Sequence, residues 1–393
     1  MTRSIEAEVT PQLLKWARER SGFSASATAA KMHIEESKLV DWECGRVKPT
    51  LAQVRKLAGL YKRPIAIFFL AEPPTTFDAM RDFRRVPGHT AVEQSPALLI
   101  EIRRANWKRE IAVELAQQIE ETPVRLDLSV ATEDDPAKVA SEIRQFLQID
   151  YATQKRWRNK DKALAAWRNA LEEKGILVFH TSQYSDIEVK EMRGFSISAQ
   201  LFPVIVLNAR DSAAGRTFTL LHELVHLLLG DAGLCDLEHS RNARTPEEKI
   251  EIFCNRIAGE VLVPQADLFN HSLILHVGKS HRWSDEEIKE IAVDFSVSNE
   301  VILRRLLIHH YISEEFYRNK HREYLQRYLE YSGIERRGFA PPFRLVMRNN
   351  GLGFLRLVLD AYYRDKISSS NLSDYLGTKL AHLNDIEQAI SRS

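Results

Sequence analysis

Only three cysteines, Cys44, Cys235 and Cys254, occur in 393 residues, too few and too scattered to frame a disulfide-stapled fold. An excess of one charge is missing as well. The 55 Lys and Arg stand against 54 Asp and Glu, a net charge of +1, so the whole chain singles out neither an acidic nor a basic partner. No apolar run approaches the roughly 20 residues of a membrane span, and the first residues carry no apolar signal core. A cytoplasmic protein without membrane attachment is expected. Its length suffices for two or three domains, each with its own core.

What is present is concentrated in one segment. Phe218-Thr219-Leu220-Leu221-His222-Glu223-Leu224-Val225-His226-Leu227-Leu228-Leu229-Gly230 is an apolar run with helical spacing that contains His-Glu-x-x-His. Four residues apart, His222 and His226 share one helix face and form a ready pair of zinc ligands. Glu223 then lies beside the metal rather than on it, where it can take a proton from an attacking water. The five-letter match alone is only moderately specific. Its neighbours Leu220, Leu221, Leu224, Leu227 and Leu228 sharpen it, because imidazoles on so buried a face are costly unless something binds them.

A second amphipathic helix is expected from Glu247 to Val263, stopped by Pro264. Glu251 and Asn255 are four apart on one face, so the carboxylate can complete a His, His, Glu site while the amide orients one of the ligating side chains. Glu247, Glu248 and Glu260 compete for that place but read as solvated helix charges.

These runs, preceded by Pro203-Val204-Ile205-Val206-Leu207-Asn208, resemble the ImmA/IrrE family of zinc peptidases, whose pattern is F-T-x-x-H-E-x-x-H, then E-x-x-A-N-x-F-A and a terminal L-x-P. The resemblance implies His222, His226 and Glu251 as zinc ligands and Glu223 as the base. Cys254 stands where the family prefers Ala, and Ile257 where it prefers Phe; both are core-type replacements. The fold class expected is α+β and mostly helical: an N-terminal helix-turn-helix bundle, a zincin-like core with a small sheet, and a helical C-terminal region.

Residues 1–70 read as a separate unit of five short helices: from Thr10-Pro11 to Gly22, Ser26 to Met32, Glu35 to Glu43, Leu51 to Tyr61 and Pro64 to Leu70. With Trp42-Glu43-x-Gly45-x-x-x-Pro49 after the third, they resemble the helix-turn-helix domain of Xre/Cro-type repressors. Twelve Lys/Arg against seven Asp/Glu suit a phosphate backbone. The recognition helix points the other way, since Glu35, Glu36, Asp41 and Glu43 outweigh Lys38. Ser37 and Lys38 are its candidate base contacts, and Glu43 is expected to cap or pair internally. Specific duplex binding stands beside a plainer reading, a helical module that dimerises or docks a partner protein.

Residues 71–93 read as a connector, broken by Pro73-Pro74 and Val86-Pro87-Gly88. Between them Asp78-Ala79-Met80-Arg81-Asp82-Phe83-Arg84-Arg85 resembles the D-F-R element of fused Xre and ImmA/IrrE proteins and reads as a hinge in preference to a basic contact. The peptidase-like domain is expected over 94–275, with helices near 97–120, 136–148 and 161–174 and short strands at 176–179, 195–197 and 204–207. Lys155-Arg156-Trp157-Arg158-Asn159-Lys160 could stack on a base but reads better as a solvated helix start with one buried aromatic. Cys235 could close the open zinc position and His239 could stabilise an oxyanion; for both, a side chain without a role at the site is the plainer reading. Residues 276–393 form a helical C-terminal region. Its pair of helices at 284–307 has helix-turn-helix rhythm with Arg304 and Arg305 on the exposed side, and an interruption is expected from Ile334 to Arg344.

Two functions from different classes follow. The first is a zinc-dependent endopeptidase joined to a helix-turn-helix module, which cleaves a specific regulator, a repressor or antitoxin-like protein, in a stress or mobile-element response. The second is a DNA-binding regulator or antitoxin whose zinc fold is a platform that cleaves nothing. The partners implied are a protein substrate, duplex DNA through residues 1–70 and, in the plainer reading of that module, a second copy of the chain.

Overall fold

In a computed structural model, residues 5–74, 95–182, 185–230, 245–275, 277, 281–332 and 341–391 are described. They fall into two units, one holding 5–74, 95–106 and 185–187, the other the remainder from Trp107 onward.

The first unit is a helical bundle of α1 (Pro11–Arg20), α2 (Ala25–Met32), α3 (Glu36–Glu43) and α4 (Leu51–Tyr61), followed by a 3-10 turn at Ile65–Phe69. Thr50 and Gln53 close a capping box on α4, and Ser24 caps α2. The turn from α2 to α3 is made by His33 in the left-handed region at φ 55°, which returns its N–H to the end of α2. Leu13, Leu14, Ala17, Leu39, Trp42, Val54, Leu57, Tyr61 and Phe68 fill the core. Glu43 pairs internally as expected: both its oxygens accept from Arg18, at 2.7 and 2.9 Å. Glu35, Glu36, Ser37 and Lys38 are exposed at the start of α3. The helix α5 (Pro96–Gln118) begins in this unit, where Arg103 donates to Tyr61 O at 2.7 Å and Ser21 Oγ at 3.2 Å.

The second unit is built on α6 (Pro136–Phe146), α7 (Tyr151–Trp157), α8 (Lys160–Glu173), strands β1 (Leu177–His180), β2 (Gly194–Ile197) and β3 (Val204–Leu207), then α9 (Ala213–Leu229) and α10 (Pro246–Leu262). The sheet order is β1-β3-β2, with β1 parallel and β2 antiparallel to β3, and every residue of the three strands is buried. Strands buried on both faces read as near-continuous apolar runs, which is why Val204-Ile205-Val206-Leu207 was legible at once. Lys155 and Arg158, from the basic run around Trp157, pair with Asp294 at 3.7 and 2.9 Å. That run closes α7 and enters α8, rather than opening a helix.

Short helices α11 (Gln265–Phe269) and α12 (Ser272–Leu275) lead to α13 (Asp285–Asp294), α14 (Asn299–Ile308), α15 (Glu314–Ser332), α16 (Pro342–Asn350), α17 (Leu352–Tyr363), α18 (Ser369–Leu376) and α19 (Leu383–Ile390). The fold is therefore α+β and mostly helical, with a three-stranded sheet. Three expectations need correction here. Arg305 is not on the exposed side of α14 but 1% exposed, held by Glu260 at 2.5 Å, so Glu260 is not a solvated charge either. The interruption after α15 ends early, because Pro342 takes the first helical position of α16, where a missing N–H costs nothing. The Asp82-Phe83-Arg84-Arg85 element, Cys235 and His239 lie outside the described residues. Among those described, no helix is long and apolar enough to cross a membrane.

Candidate metal centre

The centre is made by α9 and α10. Ser212 caps α9 by accepting from Gly215 N, and Gly230 closes it in the left-handed region at φ 70°. Thr245 and Glu248 close a capping box on α10, and Pro264 follows its end. The last carbonyls of α10 are also satisfied. Arg144 donates to Val261 O at 2.6 Å and the fully buried Gln154 to Leu262 O at 2.8 Å, which fixes this helix in depth against α6 and α7.

Between the two helices, His222 Nε2 and His226 Nε2 approach to 3.0 Å. Glu251 brings one carboxylate oxygen to within 3.2 Å of each ring. Two different oxygens make these contacts, Oε2 to His222 and Oε1 to His226, and the separations are close to the roughly 3.3 Å between neighbouring donors in a tetrahedral site with zinc bonds of about 2.0–2.1 Å. His222 is 0% exposed and His226 6%, so bulk water does not solvate these rings. Asn255, one turn beyond Glu251, places Oδ1 3.0 Å from His222 Nδ1. Since an amide oxygen only accepts, the ring proton sits on Nδ1 and the Nε2 lone pair faces the centre.

The electrostatics agree with a donor set for a divalent cation. Burial lowers the His222 pKa and keeps that ring neutral. Burial also works against charge on His226, but the Cys254 thiol and the Glu251 carboxylate outweigh it and raise its pKa. Burial alone would lift the Glu251 carboxyl, yet hydrogen bonds from both imidazoles hold it at about 2. Two rings and an ionised carboxylate thus converge on one buried space, and these are residue types that a zinc ion fits.

Glu223 is fully buried next to His222 in the chain, and strand β2 crosses close to it. A Cβ on Gly194 would sit 2.5 Å from Thr219 Cγ2, 3.0 Å from Val206 O and 3.5 Å from Glu223 Cγ, so only glycine admits this approach of strand to helix. That residue was missed in the sequence, where nothing distinguishes Gly194 from the glycine of an ordinary turn. Cys254, read there as a core residue, is fully buried and also faces the centre: its sulfur and the ligand nitrogens of His222 and His226 all lie within 4.8 Å of one another. Ile257 is fully buried too.

The segment from Leu171 to Leu307, which contains the whole centre, matches the family model of the peptidase M78 family, described as the IrrE N-terminal-like domain. Residues 12–66 match a helix-turn-helix domain. The chain joins a helix-turn-helix domain to an IrrE-like peptidase domain. Neither the curated proteins nor the solved structures contain a match to the chain. The IrrE-like match begins in α8 and ends in α14, so it takes in the sheet, both helices of the centre and the pair α13 and α14. That pair packs Ile288, Ile291, Ile302, Leu303 and Leu306 into the same core as α9 and α10, which makes it a support of the IrrE-like domain.

Proposed function

We propose that the IrrE-like domain is a zinc-dependent endopeptidase, with His222, His226 and Glu251 as ligands, Asn255 orienting His222, and Glu223 as general base. The observation that carries this reading is the convergence of the two Nε2 atoms, 3.0 Å apart, with a Glu251 oxygen 3.2 Å from each of them. Glu251 is preferred to Cys254 as third ligand because its oxygens already sit within 3.2 Å of both nitrogens. A zinc ion there would supply Lewis acidity, polarising a peptide carbonyl and making water nucleophilic near neutral pH. Glu223 would take the proton of the attacking water and hand it to the leaving amine. Enclosure by β2 and α10 keeps this carboxylate away from bulk water, where its basicity would be lost to hydration.

The substrate we infer is a specific regulator, a repressor or antitoxin-like protein, in a cytoplasmic stress or mobile-element response. The helix-turn-helix domain supports this setting by offering Ser37 and Lys38 at the exposed start of α3 to duplex DNA. The rival, a binding platform without cleavage, has no use for a buried base beside the first ligand.

Comparing the new protein N-termini that arise in cells expressing the intact chain with those in cells expressing Glu223→Gln tests the proposal. Termini present only with the intact chain, together with zinc in the purified protein that falls in His222→Ala and Glu251→Ala, are expected. Identical termini in both strains would leave the platform reading.

A further inference from the structure

An open cleft of about 460 Å³ lies in the second unit where α8, the end of β1, the first turns of α9 and the end of α16 meet. Its volume is within the roughly 300–1,000 Å³ of small-molecule sites. None of the metal-centre residues lines it. Three arginines from three helices do: Arg168, Arg216 and Arg348.

The acids near them are mostly committed. Arg168 pairs with the buried Glu172 at 3.1 Å, whose second oxygen accepts the N–H groups of Leu352 and Gly353 at 2.8 and 3.3 Å. Asp211 is taken by Arg193 at 3.4 Å. Asp161, exposed at the rim, is the remaining carboxylate of the lining. Arg216 keeps its Nε buried with no hydrogen-bond partner among the described residues, and burial and the like charge of Arg348 both lower its pKa. Such a cluster calls for an anion.

His180 narrows the choice of anion. It is 4% exposed, and its Nδ1–H donates to Arg348 O at 2.9 Å, so the neutral ring carries a lone pair on Nε2. Burial and the charges of Arg168 and Arg216 keep the ring neutral. Among the described residues Nε2 has no partner. The cleft thus sets the unmet Nε of Arg216 beside a buried acceptor in need of a proton.

We propose that this cleft binds a monoprotonated phosphate group, free or carried by a small organic molecule, with Arg216 and Arg348 meeting its charged oxygens and His180 Nε2 accepting its P–OH hydrogen. Leu164, Met347 and Leu352 provide apolar wall for an organic remainder. Sulfate carries no proton at neutral pH, so it would set an acceptor against the Nε2 lone pair. The site is independent of the peptidase reading.

The test is thermal unfolding and titration calorimetry of the full chain at pH about 6, where a phosphate monoester keeps about half of its P–OH protons, in phosphate, sulfate and chloride at matched ionic strength, with AMP as a second phosphate source. Phosphate should stabilise saturably and bind about tenfold or more tighter than sulfate, the cost of one buried acceptor left unmet. Tighter binding of AMP than of phosphate identifies an organic phosphate as the ligand class, and the reverse identifies the free anion. Arg216→Gln should lose the response and Arg348→Gln weaken it about tenfold. The partly exposed Arg348 and the sulfate comparison keep the test decisive should Arg216→Gln not fold. Phosphate could also meet a metal at the centre, so the response must persist in His222→Ala. Equal effects of phosphate and sulfate, an unchanged response in both arginine variants, or its loss only in His222→Ala would overturn the proposal.

Discussion

Asn255 Oδ1 accepts a hydrogen bond from His222 Nδ1 at 3.0 Å, which leaves Nε2 of that ring facing His226 and Glu251. Replacing it with alanine should leave the fold intact, because Asn255 is only half-buried on a long helix. Zinc affinity, measured by competition with a chromophoric chelator, should fall by about 10–100-fold, the usual effect of losing such a partner. An unchanged affinity would mean that packing around His222 alone orients the ring.

Gly194 should tolerate no side chain. A methyl group there would overlap Thr219 Cγ2, which is buried and branched at Cβ, and would press on Val206 O across the sheet. Relief must come from β2 moving off α9. Gly194→Ala should therefore lower stability by about 1–3 kcal/mol and reduce peptidase activity more than it reduces zinc content, since the strand and not the ligands moves. Urea unfolding and metal analysis of the same preparation check this.

The residues that converge in the candidate centre were more legible in the sequence than the rest because they follow local rules. His222 and His226 are one helical turn apart, as are Glu251 and Asn255, and both pairs sit on apolar faces. Strand β3, Val204-Ile205-Val206-Leu207, was legible for a similar reason, being short, apolar and rich in β-branched residues. Arg305 was misread because its partner Glu260 lies on another helix, and helical periodicity cannot distinguish a charged residue facing solvent from one facing a buried partner. The cleft around His180 left no trace for the same reason: Arg168, His180, Arg216 and Arg348 are brought together only by tertiary structure.

The Glu260–Arg305 pair joins α10 to α14 with both side chains at least nine-tenths buried. Glu260 also accepts the Gln265 N–H at 2.7 Å, so it caps the chain as it leaves α10. Removing one partner strands a buried charge. Arg305→Met should cost about 3–5 kcal/mol, while the double variant with Glu260→Gln should recover a large part of that loss. A double-mutant cycle by urea unfolding gives the coupling, and a negligible coupling would show that water reaches the pair.

A second charge cluster, on α14 and α15, gives the stability a definite pH window. Burial would raise the Glu300 carboxyl, but the hydrogen bond from His321 at 3.1 Å, the charge of Arg304 and the Tyr317 hydroxyl hold it at about 2. The same contact raises the His321 pKa. A lowered carboxyl contributes stability above its ordinary pKa of about 4.3 and loses it as pH falls toward the folded value. A raised imidazole contributes fully below its ordinary pKa of about 6.5 and loses it as pH rises through the folded value. The pair therefore stabilises most between those two ordinary values. Solvent screening keeps the effect small, since the His321 side chain is 43% exposed. His321→Gln should flatten the decline of the unfolding midpoint on the alkaline side and leave the acid decline largely in place, because Arg304 still faces Glu300 at 2.8 Å. Thermal midpoints of both proteins across this range are the check, and parallel profiles would assign the alkaline decline to other groups.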